Sequence, residues 1–293
     1  MITCYERQNA ISVDVEDYFH VAALSRVISP SDWDGIAPRV AANTQRLMDL
    51  FDERSVSATF FVLGWVAERF PGMVREITAR GHELACHGMN HQLVYKQSRG
   101  EFRDETRRAK QVLEDAAGTR VLGYRAASYS ITEASLWALD ELIDAGFEYD
   151  SSIFPVAHDI YGIPGAQRFI HEREAPSGRR LVEFPPTTAR LFGRNVPAAG
   201  GGYFRLYPYW VTRALIRRVM AEGEPVMFYL HPWEVDPDQP RVKASLKSRF
   251  RHYNNLDKCL PRLRRLTSEF RFATARDVIA ESQRLVQPAL VGA

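Results

Sequence analysis

Apolar residues fall in short runs separated by longer amphipathic stretches. The runs Ile11–Val15, Ala58–Val62, Glu83–Cys86, Val121–Tyr124, Glu148–Ile153, Leu181–Phe184, Val226–Leu230 and Phe270–Thr274 are rich in β-branched and aromatic residues, and each predicts a strand. Val40–Arg54, Gly100–Ala117, Glu133–Ala145 and Pro208–Glu222 carry apolar residues at helical spacing. Thr132 is a predicted N-cap, while Gly81, Gly118 and Gly146 are predicted helix stops. Strands alternating with helices build a parallel sheet. Seven or eight such units predict a closed or distorted barrel more than an open sheet. Val156–Arg180 and the Pro- and Gly-rich Pro185–Tyr203 break the rhythm and are predicted as long loops covering a site, and Gln287–Ala293 as a loose tail.

Composition narrows the class. The 293 residues, 45% hydrophobic and 25% charged, suit a globular α/β protein and not a disordered one. With 38 basic against 36 acidic residues, no net field draws the chain to nucleic acid. A basic stretch from Lys243 to Arg265, with Lys247, Arg249, Arg251, Lys258, Arg262, Arg264 and Arg265, reads as a solvated helix face in preference to a polyanion or membrane-surface site. Cys4, Cys86 and Cys259 form no C-x-x-C pair, so no disulfide framework or cysteine-rich zinc site is expected, and the thiols should be reduced. Met1–Ala10 does not read as a signal peptide, and no apolar run approaches the ~18 residues of a membrane span. A cytoplasmic location is the expectation.

Four segments carry the chemistry. Ile11-Ser12-Val13-Asp14-Val15-Glu16-Asp17 runs an apolar strand into three carboxylates, and strand alternation points Asp14 and Glu16 the same way while Val13 and Val15 face the core. Such strand ends are where barrel enzymes collect their active sites. In Cys86-His87-Gly88-Met89-Asn90-His91 the histidines stand at i and i+4, where a helical turn would set both on one face to bind one metal. With one carboxylate they make a three-ligand catalytic site that leaves a position for water. Cys86, beside His87, should point to the opposite side as a buried thiol. Arg125 ends the Val121–Tyr124 strand and, placed near Asp14, would hold that carboxylate ionised and oriented as a general base requires. His231 follows the strand Val226–Leu230 and suits a general acid opposite the base.

These segments, in this order, resemble the polysaccharide deacetylase (NodB-homology) family, carbohydrate esterase family 4. The acidic motif Asp14–Asp17, the pair His87/His91, Arg125, and Leu230-His231 match its motifs between Ile11 and about Pro232, and Ala58–Val62 and Tyr149–Ser152 look like family strands. Asp14–Phe19, Gly200–Arg205, His231–Glu234 and the basic C-terminal region look like the branch associated with bacterial exopolysaccharide clusters. The resemblance implies a distorted (β/α)₇ barrel with long covering loops and a helical C-terminal extension. It implies a single domain over 1–293, with a core at about 8–235 and the extension at about 236–293.

Most family members have two adjacent aspartates, base then ligand, whereas Val15 follows Asp14 here; either Glu16 or Asp17 must supply the metal carboxylate. Ala127 also stands where proline often follows the arginine motif. The activity implied is metal-dependent removal of N-acetyl groups from a sugar polymer or oligomer, with Zn²⁺ or another divalent ion on His87, His91 and Glu16 or Asp17. Asp14 would be the base, Arg125 its orienter and His231 the acid. The family pairs that histidine with an acid, for which Glu183 is the candidate on a nearby strand. Tyr129, Tyr203, Phe204 and Trp233 are candidates for stacking on sugar rings. Gly200–Gly202 suits close backbone approach or a flexible lid.

The implied partner is an N-acetylated glycan, with a homo-oligomer left open. Rival readings are a hydrolase of a non-sugar amide resembling allantoinases, a non-catalytic carbohydrate-binding protein, and a non-haem iron oxygenase; the last has no use for Arg125 or His231.

Overall fold

The computed structural model describes residues 8–286. Cys4 and the segment Gln287–Ala293 lie outside them. Eleven strands are present among these residues. They are β1 (Asn9–Val15), β2 (Thr59–Val62), β3 (Glu83–Cys86), β4 (Gly123–Tyr124), β5 (Tyr149–Asp150), β6 (His171–Glu174), β7 (Arg180–Glu183), β8 (Thr188–Leu191), β9 (Arg194–Pro197), β10 (Met227–Leu230) and β11 (Phe272–Ala273). The helices are α1 (Val40–Glu53), α2 (Gly64–Arg69), α3 (Pro71–Ala79), α4 (Arg99–Ala117), α5 (Ala138–Asp144), α6 (Gly201–Leu206), α7 (Tyr209–Ala221), α8 (Leu246–Tyr253), α9 (Leu256–Glu269) and α10 (Ala275–Val286).

The main sheet runs β10-β1-β2-β3-β4-β5-β7-β6. All its pairings are parallel except β6 against β7, and β11 adds parallel to the start of β1. The seven parallel strands β10, β1, β2, β3, β4, β5 and β7 curl into the distorted barrel that the resemblance implies. No ladder joins β7 to β10. Thr187 and Gly200 bridge that seam: Thr187 Oγ1 accepts from Met227 N at 2.7 Å, and Gly200 pairs with Tyr229. A Cβ on Gly200 (φ +114°) would stand 2.1 Å from the Tyr229 carbonyl oxygen, so close backbone approach explains this glycine.

Alternation along β1 divides the molecule. Ile11, Val13 and Val15 pack outward beneath the helices, while Ala10 joins Phe61, Ala85, Tyr149 and Met227 inside the barrel. Asp14 therefore points inward, and Cys86 outward, as expected. Helix punctuation follows local chemistry. Ser98 and Glu101 form a capping box on α4, which ends at Gly118 in the left-handed conformation. Thr132 caps a single 3₁₀ turn, so α5 begins only at Ala138. The two stretches expected as covering loops contain structure: β6 lies in the first, and the β8–β9 hairpin in the second. Cys86 and Cys259 are free and buried, and no helix among the described residues is long and apolar enough to cross a membrane.

Candidate active site

A cavity of about 170 Å³ opens where the strands end, lined by Asp14, Glu16, His87, His91, Tyr129 and His231 among others. β1 delivers the carboxylates. After Val15 the chain turns, with Glu16 N donating to the Asp14 carbonyl at 2.9 Å, and this turn separates the fates of Glu16 and Asp17. Asp17 is a buried cap: its carboxylate accepts from the backbone N–H groups of Tyr18 (2.8 Å), Arg39 (2.6 Å) and Val40 (2.8 Å) at the start of α1. Glu16 lies with His87 and His91, one ligand atom from each within 4.8 Å of the others. The structure thus places Glu16, and not Asp17, beside the imidazoles.

The histidines converge by a route other than the expected helical turn. Residues 87–91 form an irregular loop with Gly88 (φ +79°) and His91 (φ +51°) in left-handed backbone, which swings the two rings to 5.4 Å apart. His87 Nδ1 stands 2.8 Å from the Arg125 carbonyl; donation there leaves Nε2 with its lone pair for the site. Burial pushes the His87 pKa down to about 4, so the ring is neutral, the form that binds metal.

His91 Nε2 lies 2.7 Å from Glu16 Oε2, yet that buried oxygen accepts no well-directed hydrogen bond among the described residues. Acceptor atoms crowded towards one point without a donor between them fit a shared cation. Burial alone would raise the Glu16 pKa, but His91, and then His231 and His87, hold it well below the usual carboxylate range.

On one side of this cluster Arg125, wholly buried, donates from Nη1 to Asp14 Oδ1 at 2.6 Å and to Ser12 Oγ at 2.8 Å. Its Nη2 reaches Ser151 Oγ at 2.9 Å, and its guanidinium lies 4.0 Å over the Phe61 ring. Every branch is occupied, so the Asp14 carboxylate is fixed and paired. Tyr129 Oη touches Asp14 Oδ2 at 3.5 Å, and both Ser128 (φ +51°) and Tyr129 (φ +55°) take the left-handed backbone that accompanies functional strain.

On the other side His231 Nε2 faces Asp14 Oδ2 at 3.9 Å and Glu16 Oε1 at 3.6 Å. The carboxylate behind it is Glu234, 3.0 Å from His231 Nδ1, which in turn receives Arg205 Nε at 2.6 Å. Burial would lower the His231 pKa, but the Glu234 hydrogen bond, with Glu16 and Asp14, raises it to about 9.

Glu183 does not serve here. Its Oε1 accepts from Ile153 N at 3.0 Å, and it shares buried space with Asp150, on the β5–β7 side. The expectation followed strand position, whereas the orienting acid sits three residues after the histidine, at the capping-box spacing of His231-Pro232-Trp233-Glu234.

Of the expected stacking rings, Tyr129 and Trp233 line the cavity. Trp233 also donates from Nε1 to Glu16 Oε1 at 3.1 Å and stacks on His231. Phe204 does not face the cavity; it packs in the core against Phe228, 5.0 Å between centroids. Tyr203 hydrogen-bonds Tyr161, and Tyr161 is the ring that lines the cavity. Glu234, Arg205 and Tyr161 were not among the expected site residues. Only Glu234 had a local signal, its spacing from His231.

A curled parallel barrel with a three-ligand cluster at its strand ends, flanked by a buried Asp–Arg pair and a carboxylate-held histidine, defines an α/β protein with a metal-type site. The polysaccharide deacetylase profile matches residues 33–148, and a domain of unknown function, DUF3473, matches residues 151–280. A chitooligosaccharide deacetylase of Bradyrhizobium sp. is 30% identical over 181 residues, covering 56% of this chain and 82% of that protein. A peptidoglycan-N-acetylglucosamine deacetylase of Bacillus cereus is 31% identical over 99 residues, 33% of this chain; the chain spans 36% of that relative's length. The fold is similar to that of a Mycobacterium smegmatis protein assigned to the polysaccharide deacetylases (TM-score 0.63, 20% identity, covering 95% of this chain and 91% of that one). It is also similar to that of an allantoinase (TM-score 0.60, 15% identity, 92% and 88%). The chain belongs to the polysaccharide deacetylase family.

Proposed function

We propose that the protein is a divalent-metal-dependent hydrolase that removes N-acetyl groups from a sugar polymer or oligomer, within exopolysaccharide metabolism and in the cytoplasm, with residues 1–293 acting as one domain. One observation carries the reading: Glu16, His87 and His91 meet in the same cavity as the Asp14–Arg125 pair and the His231–Glu234 pair. The ligand set of two imidazoles and one carboxylate suits Zn²⁺. When bound, such an ion polarises the acetamide carbonyl and acidifies a water.

The chain's own groups do the rest. Asp14, held by Arg125 through Oδ1, takes the proton of the attacking water at its other carboxylate oxygen, Oδ2. His231 enters protonated, held so by Glu234, and gives its Nε2 proton to the departing sugar amine. The Tyr129 hydroxyl directs Asp14, and Trp233 keeps Glu16 and His231 in register through its indole N–H and its ring face. Tyr161 and Tyr129 offer aromatic walls to a sugar ring.

Acetate release from N-acetylglucosamine oligomers and from an N-acetylated exopolysaccharide tests this. The wild type should release acetate, and Asp14→Asn should lose about 10²–10⁴-fold in kcat. Hydrolysis of a ureide with no acetate from any glycan would move the chain to the allantoinase-like reading.

A further inference from the structure

We propose that α8 is the face by which the protein lies on an anionic lipid bilayer. The helix has two distinct sides. Inward, His252 is buried, stacks on Trp233 at 4.4 Å between centroids and meets Gln239 Oε1 at 2.6 Å. The carbonyls of Arg251, His252 and Asn254 at its C-terminal end all accept from the Arg205 guanidinium.

Outward, Leu246 is 82% exposed and Phe250 59% exposed, and their i, i+4 spacing sets them on one face. Leu206, 46% exposed, follows the arginine that holds the helix end.

Along the segment that carries this apolar face the charge has one sign. Arg241, Lys243, Lys247, Arg249 and Arg251 fall in a stretch with no acidic residue between Asp238 and Asp257. Further along the basic run the side chains are occupied: Arg264 pairs with Glu53, Arg265 with Glu269, and Arg262 donates to the carbonyls of Phe204, Arg205 and Tyr207. The five earlier cations enter no ion pair among the described residues, and all five are exposed. The basic run is solvated, as expected, but divides between α8 and α9. In its second part the cations are paired or hydrogen-bonded, and its first part is a cationic surface free of ion pairs among the described residues, with two protruding apolar side chains. A soluble polyanion would satisfy the cations and leave Leu246 and Phe250 in water. A bilayer with anionic headgroups takes both at once.

The placement bears on the cavity. Lys247 and Arg251 lie within electrostatic reach of His158, and Arg251 of Tyr161, which lines the cavity. A protein seated on α8 would present its cavity near the lipid surface, to a glycan carried there. The docking itself does not depend on what the cavity hydrolyses.

Co-sedimentation of the full chain with phosphatidylcholine vesicles, with and without phosphatidylglycerol, tests the proposal, with a soluble polyuronate as the competing probe. Binding should require phosphatidylglycerol and weaken as salt rises. Lys247→Gln with Arg251→Gln should lower affinity about fivefold per charge removed. Leu246→Ser with Phe250→Ser should lower it at least about tenfold, with the melting temperature and acetate release from soluble oligomers unchanged. Should the serine variant melt early, the glutamine pair and the salt series decide. Absence of binding to phosphatidylglycerol vesicles, binding that a folded serine variant retains in full, or retention by polyuronate alone would each overturn it.

Discussion

His231 keeps its proton because Glu234, locked by Arg205, lies against its Nδ1. A pKa raised to about 9 means that the acid form persists through neutral pH and is lost as pH rises through that value. The alkaline limb of kcat should therefore sit near pH 9. Glu234→Gln should bring it down towards the ordinary imidazole value of about 6.5, with the acid limb unmoved; pH–rate profiles of the two proteins check this.

At this scale much was legible before any coordinates. Asp14, His87, Arg125 and His231 announce themselves because each lies in a strand or directly after one, His91 by its spacing from His87, and strand alternation aims Asp14 inward. Long-range choices were not. Glu16 parts from Asp17 because the backbone N–H groups of Arg39 and Val40, more than twenty residues on, claim the Asp17 carboxylate. Glu183 looked apt from its strand, but a carboxylate three residues from His231 reaches the ring through one 3₁₀ turn.

Among elements, one side chain ties both α6 and α8 to the site. Arg205, buried, joins Glu234 to three carbonyls at the end of α8. Arg205→Met would leave Glu234 with His231 as its one remaining cationic partner among the described residues and strand those carbonyls. We expect a loss of about 3–5 kcal/mol in urea unfolding.

Elements with strong periodicity, such as α4 and β1, matched expectation closely. The β8–β9 hairpin and β6 were read as loops because glycines, prolines and charges interrupt their alternation. Their strand form comes from pairing and neighbours, β6 on β7 and the hairpin on α7 and the Pro155 carbonyl. The His87–His91 loop shows the same limit, since i, i+4 spacing reports a shared face only where the backbone is helical.

The whole molecule buries a second carboxyl pair away from the proposed chemistry. Asp150, raised to about 6 by burial, and Glu183, raised well above its usual range by burial and by Asp150, hold a proton that the unfolded chain releases near pH ~4. Because the folded state binds more protons, Asp150's contribution is fully present below that unfolded value and is lost as pH rises through about 6. Asp150→Asn should remove this slope, which is worth about 1.4 kcal/mol per pH unit per proton. Unfolding free energies across that window in wild type and variant provide the comparison.

What unifies the molecule is a barrel that brings distant strand ends to one ion-sized gap between Glu16, His87 and His91. The direct test is to strip the protein with chelator, add Zn²⁺ back stepwise, and follow acetate release from N-acetylglucosamine oligomers. The prediction is no release from the stripped protein and recovery that saturates at about one equivalent. Undiminished release after stripping, or full loading with no release from any N-acetylated glycan, would contradict it.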